Sequence, residues 1–300
     1  MTEAIAAPDA VVEGLPGFPW RPRFRSVDGL RLAHVDEGDG APVVMWHGEP
    51  TWGYLWRKVA APLLDAGHRV VLPDLPGFGR SDKPVEIGWY TYERHVSHAA
   101  RLVEDLDLRG CTFVVHDWGG PIGLRVAVEL AERVDRLVIL DSGVFTGERR
   151  MNDAWQRFKA FVEATEDLPV SLLVRRACHT DPGDEVAAAY DAPFPTPASK
   201  AGARAFPLIL PQQHDAPGAA EGRRVLAALA RDTRPVLMLW GQEDPVLPPA
   251  AGEALARRLG RPPPRLLADA SHFLQEDQGE LVGATIADWL ASVPLVRSRG

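Results

Sequence analysis

Apolar positions in the first half of the chain fall into short unbroken runs, separated by longer stretches with a helical period. The runs at 30–37, 42–46, 68–73, 111–116 and 136–140 read as strands buried on both faces. Between the later ones, 52–66, 92–106 and 120–131 carry apolar residues at helical spacing. This alternation predicts an α/β fold with a mostly parallel, doubly wound sheet and helices on both of its faces. The rhythm resumes at 234–240 and 265–268, with closing helices at 249–259 and 280–292.

Between these halves the texture changes. Residues 147–229 hold no clear strand; helical stretches at 152–165 and 169–178 precede the proline-rich run 191–197. The pattern predicts a core formed by 1–146 and 230–300, with 147–229 inserted as a helical cap over the carboxyl ends of the strands. Open α/β sheets place their sites there.

Composition narrows the partners. Thirty-three basic against forty-one acidic residues leave a net charge of −8, with no basic stripe, which argues against nucleic acid. No apolar run reaches the roughly 18 residues that cross a bilayer. Residues 1–10 lack the basic start and long apolar stretch of a signal peptide. Cys111 and Cys178 lie far apart in apolar surroundings and read as reduced core residues. A cytoplasmic monomer is the expected state.

The chemistry centres on Asp117. It ends an apolar strand, and Trp118-Gly119-Gly120 follow at the start of a helical pattern. That strand-turn-helix arrangement is a nucleophile elbow, although Val115 stands where such elbows usually have glycine. By itself an aspartate there also suits a helix N-cap. A carboxylate nucleophile attacks saturated carbon and leaves an ester that water must cleave, which fits alkyl halides or epoxides. Asp244 and His272 follow the last two predicted strands, completing the order nucleophile, acid, histidine. His272 would activate the water, and Asp244 would orient and charge-stabilise the imidazole.

The turn His47-Gly48-Glu49 follows the strand at 42–46. Such a turn supplies one backbone N–H of an oxyanion hole, here assigned to Glu49, with Trp118 supplying the second. Gly48 also fits a plain turn with positive φ. The Trp118 indole is a donor beside Asp117, suited to a departing anion. Trp155 is a second candidate donor, though its spacing alone equally describes packing between cap and core. Phe145, Phe158, Phe206, Val246 and Leu247 are apolar candidates for the pocket wall.

Four segments carry a resemblance to a known family: His47-Gly-Glu-Pro-Thr-Trp52, Asp74-Leu-Pro-Gly-Phe-Gly-Arg-Ser-Asp82, Val114-Val-His-Asp-Trp-Gly-Gly120 and Ser271-His-Phe-Leu-Gln-Glu276. They resemble the haloalkane dehalogenases. Tyr190-Asp-Ala-Pro-Phe-Pro195 and Ala201-Gly-Ala-Arg-Ala-Phe-Pro207 are similar to the subfamily with an Asp–His–Asp triad and two halide-binding tryptophans. The resemblance implies an α/β-hydrolase fold, with Asp117 as nucleophile, His272 as base and Asp244 as acid. Trp118 and Trp155 become the halide donors. It implies a small halogenated aliphatic substrate, a halide ion as product, and no metal or organic cofactor.

Asp141 departs from the pattern. It ends the strand at 136–140, where a sister subfamily places its acid, so it is expected to compete with Asp244 for His272 or to share its task. Two other readings stay open. An epoxide hydrolase shares the aspartate and histidine but needs cap tyrosines, of which only Tyr190 is at hand. A non-catalytic ligand receptor of the same fold would bind without turnover.

Overall fold

The computed structural model describes residues 2–8, 14–148 and 150–293, so part of the N-terminal stretch 1–10 read above lies outside the described residues. In chain order the strands are β1 (Ala4–Ile5), β2 (Arg23–Val27), β3 (Leu30–Glu37), β4 (Pro42–Trp46), β5 (Arg69–Pro73), β6 (Lys83–Pro84), β7 (Cys111–Asp117), β8 (Val134–Ser142), β9 (Val236–Gly241) and β10 (Arg265–Leu267). The helices are α1 (Arg57–Asp65), α2 (Tyr92–Asp105), α3 (Gly119–Glu129), α4 (Asp153–Ala164), α5 (Val170–Ala177), α6 (Asp184–Asp191), α7 (Ala201–Ile209), α8 (Ala219–Leu229), α9 (Pro249–Leu259), α10 (Leu274–Asp277) and α11 (Gly279–Ser292).

Eight strands form one sheet in the order β10-β9-β8-β7-β4-β5-β3-β2; β1 and β6 pair separately. Pairing is parallel from β10 to β5 and antiparallel at β3 and β2. The predicted sheet is therefore borne out, with an antiparallel margin. Its central strands are apolar over most of their length because both faces are covered: Val44, Met45, Phe113, Val114 and Val115 are all fully buried. Cutting Phe113 to alanine there would cost about 3–5 kcal/mol.

Helix α2 shows how sequence sets the layers. Thr91 accepts the Arg94 N–H as its N-cap, and buried residues 95, 96, 99, 102 and 103 repeat at helical spacing on one face. That face packs against α3, while α1 packs against α11.

Between β8 and β9 the described residues contain helices α4 to α8 and no strand. Tyr190 of α6 donates its hydroxyl to Glu276 Oε1 at 2.5 Å, and Arg57 of α1 grips the same carboxylate through both terminal nitrogens. This buried knot fastens the helical segment to the sheet layers.

After β4 the chain crosses to β5 on one side and later to β7 on the other. The order reverses at that point, so a crevice opens beyond the carboxyl ends of β4 and β7. His47 and Asp117 stand at those two ends.

Candidate active site

Asp117 is the last residue of β7 and adopts φ 46°, a left-handed conformation that a side chain tolerates only when its surroundings impose it. The close approach is visible at Gly119, where an added Cβ would lie 2.1 Å from the Trp46 carbonyl oxygen. Gly48 is needed for a similar reason rather than for a positive φ, which it does not have: a Cβ there would meet Asp117 Oδ1 at 2.2 Å. The helix N-cap alternative for Asp117 does not hold. Trp118 occupies that position, and the Asp117 side chain turns to the His47-Gly48-Glu49 turn instead.

Each oxygen of Asp117 has its own environment. Oδ1 accepts the Glu49 backbone N–H at 2.7 Å, and Oδ2 lies 3.7 Å from His272 Nε2. Burial opposes ionisation of this carboxyl, but His272, His116 and the Glu49 N–H outweigh burial and hold it below the ordinary carboxylate range. The Trp118 N–H opens the turn into α3 on the same side, packed against Gly48.

His272 follows β10 and is buried. Its Nδ1 lies 2.8 Å from Asp244 Oδ2, while Asp244 Oδ1 accepts the N–H groups of Val246 at 2.7 Å and Leu247 at 3.0 Å. An aspartate that bonds backbone two and three residues on forms its own turn, which fixes this carboxylate before any ligand arrives. Burial works against charging His272, but the carboxylates of Asp244 and Asp117 raise it well above the ordinary imidazole range. His116 lies behind, with its Nε2 2.8 Å from the His272 carbonyl oxygen. Burial pushes His116 down to about 3, so it stays neutral and donates that bond.

Asp141 stands beside this chain of bonds, its carboxyl interacting with that of Asp244 rather than with a ring nitrogen of His272. Its two carboxyl oxygens each sit 3.1 Å from the Gly241 N–H, and His272 Nδ1 is taken by Asp244. Burial first, and then the Asp244 charge, raise Asp141 well above the usual carboxylate range. Asp244 alone is hydrogen-bonded to His272, so any share Asp141 takes in the task runs through its contact with Asp244.

Asp117, His272 and Glu49 form the floor of a cavity of about 310 Å³. Its walls include Trp118, Phe145, Trp155, Phe158, Val246 and Leu247. Phe206, also expected in the wall, lies behind it and stacks on Trp118 with ring centroids 4.7 Å apart. Trp118 and Trp155 are each 4% exposed, and no protein group among the described residues accepts either indole N–H. Trp240, by contrast, donates its indole N–H to the Leu247 carbonyl at 2.7 Å.

Sequence reasoning missed Asn152, Arg176 and the Glu49 side chain. Asn152 accepts the Trp155 N–H as the N-cap of α4 and donates to the Val246 carbonyl at 3.0 Å, tying that helix to the Asp244 turn. Arg176 lines the cavity from α5, on the same helical face as Leu173 and Ala177. The capping pattern at Asn152 was readable; its second bond depends on the tertiary fold. His179, Glu243 and Asp269 are the one group among the described residues whose ligand atoms cluster as a cation site would need. All three are exposed, and none lines the cavity.

Comparison with known proteins adds the family. Residues 41–278 match the model described as alpha/beta hydrolase fold. A haloalkane dehalogenase of Mycolicibacterium paratuberculosis is 40% identical over 295 residues, covering 95% of this chain and 97% of that protein. Haloalkane dehalogenase 1 of Mycobacterium tuberculosis is 41% identical, with 96% and 98% covered. Among solved structures, the tetrameric haloalkane dehalogenase DpaA of Paraglaciecola agarilytica superimposes with a TM-score of 0.90 at 35% identity, over 98% of this chain and all of that one. With its fold, its floor of buried carboxylates around a histidine and its near full-length relatives, the chain belongs to the haloalkane dehalogenase family of the α/β-hydrolase fold.

Proposed function

We propose that the protein hydrolyses the carbon–halogen bond of small haloalkanes to an alcohol, a halide ion and a proton, through an alkyl ester on Asp117. The observation that carries this reading is the split environment of the Asp117 carboxylate. One oxygen is tethered by the Glu49 N–H, and the other faces His272 at the base of an apolar cavity. The free oxygen, Oδ2, attacks the halogen-bearing carbon in line. The carbon–halogen bond breaks, and the halide leaves toward the indole N–H groups of Trp118 and Trp155.

Water then gives a proton to His272 Nε2 and adds to the Asp117 carboxyl carbon. The oxyanion rests on the N–H groups of Glu49 and Trp118. Collapse breaks the bond from that carbon to Oδ2, and the alcohol leaves with a proton supplied by His272. Asp244 holds the imidazole tautomer and stabilises its charge. Asp141, whose carboxyl is pushed well above the usual range by burial and the Asp244 charge, leaves the His272 Nδ1 bond to Asp244. Residues 147–229 act as a cap that excludes bulk water from both steps.

Epoxide hydrolysis loses support because none of the four tyrosines lines the cavity, and Tyr190 spends its hydroxyl on Glu276. A cytoplasmic location and a monomeric state belong to this proposal. They rest on two free cysteines and on the lack of any helix, among the described residues, long and apolar enough to cross a membrane. Light scattering on the purified chain decides the monomer, since one relative is described as tetrameric.

The test is halide release from a panel of bromo- and chloroalkanes, with an epoxide as comparator and Asp117→Ala as control. Halide is expected from at least the short bromoalkanes, with a loss of about 10⁴-fold or more in the control. Diol from the epoxide with no halide from any alkane would overturn the reading, and binding without turnover would favour a receptor.

A further inference from the structure

Arg176 is the one permanent cation among the described residues that line the catalytic cavity. It is exposed, while Glu49 and His272 on the floor are buried, so Arg176 belongs to the rim of that chamber. Among the described residues no hydrogen bond or ion pair engages it. Its neighbour Arg175 differs: Asp181 holds that guanidinium at 2.6 Å and Asp184 at 2.7 Å. Both arginines lie in the last turn of α5, where a cation complements the helix dipole. The dipole accounts for charge at the helix end, but not for a guanidinium in the cavity wall.

The backbone beneath Arg176 is held at both ends. Ser171 donates its N–H and its hydroxyl to Asp191. The Ala177 carbonyl accepts the Phe273 N–H at 3.3 Å, and the N–H groups of His179 and Thr180 donate to Asp277. The guanidinium is thus carried on a mount tied to the residue that follows His272.

Charge differs in sign between the two ends of the cavity. The floor carries the Asp117 carboxylate, and the chain as a whole carries −8. An anion whose charge sits beside the halogen-bearing carbon would meet Asp117 and be repelled. An anion whose charge sits at the far end of an alkyl chain would meet Arg176, whose planar fork of donors matches a carboxylate. Between the two ends, Trp155, Phe158 and Leu173 supply apolar wall for the intervening methylenes.

Resting on the dehalogenation reading above, we propose that Arg176 selects ω-haloalkanoates as substrates. It holds the terminal carboxylate at the rim while the halogen-bearing carbon reaches Asp117. The products are then an ω-hydroxyalkanoate, a halide ion and a proton. Arg176 determines specificity and takes no part in breaking the carbon–halogen bond or the ester.

The experiment compares ω-bromoalkanoates, from bromopropanoate to bromooctanoate, with the ω-bromoalkanols of equal length. The readout is the ratio of kcat/KM, acid over alcohol, measured by bromide release. In the parent this ratio is expected to peak at one chain length, the one that spans floor to rim. An exposed ion pair contributes about fivefold, so at that length Arg176→Met should lower the ratio about fivefold and Arg176→Glu about twentyfold. Arg176→Lys keeps the charge without the fork and should hold the ratio within about threefold of the parent. Raising salt from about 0.02 M to about 0.5 M should shrink the parent ratio about threefold and leave that of Arg176→Met level. A residue that only supports the fold, or that only speeds halide exit, would change acid and alcohol alike. The proposal is overturned if Arg176→Met leaves the ratio unchanged or if the ratio is the same at every length. It is also overturned if the parent hydrolyses the alcohols but releases no bromide from any acid. No bromide from acids, alcohols or 1-bromobutane would instead defeat the dehalogenation reading.

Discussion

Asp117 Oδ2 and His272 Nε2 face each other across 3.7 Å, too far for a hydrogen bond and near enough to couple their charges. At the effective dielectric of protein sites, a pair this close interacts by a few kcal/mol, roughly. Forming the ester on Asp117 deletes one of those charges. The same histidine thus meets two environments in one cycle: flanked by two carboxylates before the attack, and by Asp244 alone afterwards.

That change gives the two steps different pH responses. Attack needs ionised Asp117, whose folded value is lowered, so the halide burst should stay level from about pH 5 to 9. Ester decay needs unprotonated His272, which Asp244 still pulls upward once the Asp117 charge is gone, so decay should climb as pH rises through its titration in the ester. Rapid-quench kinetics across that range check both slopes. A burst that rises with pH while decay stays flat would reverse the assignment.

The paired indoles make a prediction about halide affinity. Trp155 was readable from spacing as either packing or a donor; in the fold it lines the cavity with its N–H unclaimed. Replacing Trp155 by Phe keeps most of the ring and removes the donor. One hydrogen bond to a charged partner is worth about 1.5–3 kcal/mol, so bromide binding should weaken about 10- to 100-fold. Bromide quenching of tryptophan fluorescence measures it. Unchanged affinity in the variant would return Trp155 to a packing role.

Asp141 and Asp244 are predicted to behave oppositely on amidation. Asp244→Asn removes the charge on His272 Nδ1 and is expected to slow ester decay by about 10²-fold or more. The Asp141 carboxyl is pushed well above the usual range and accepts the Gly241 N–H, which an asparagine oxygen also accepts. Its decay rate should stay within about threefold of the parent, since that bond is kept. Stopped-flow halide release with both variants decides between a lone acid and a shared one.

Much of this was legible in the chain itself, for identifiable reasons. The central strands announce themselves because burial on both faces leaves unbroken apolar runs such as 111–115. β2 escaped because Arg23-Phe-Arg-Ser-Val27 is an edge strand with mostly solvated side chains, and its identity depends on pairing with β3. Helices α6 to α8 were not separable in sequence, since small residues there blur the period and Pro207 lies inside α7. The elbow was readable from Asp-Trp-Gly-Gly and Asp244 from its place after the ninth strand, whereas the part left to Asp141 was not. Asp141 lies near the end of β8 and Asp244 just beyond the adjacent β9, and only the turn made by Val246 and Leu247 aims one of them at His272. The reason for Gly48 was likewise hidden, because the atom it makes room for is 69 positions on, at Asp117.

The most direct measurement arrests the cycle between its two steps. His272→Gln enzyme mixed with 1-bromobutane should release one bromide per active site and then stop. Intact-mass and peptide analysis should find a single butyl group, carried by Asp117 and absent in a His272→Gln, Asp117→Ala double variant. Bromide released without any alkylated protein, or a butyl group on another residue, would contradict the ester at Asp117.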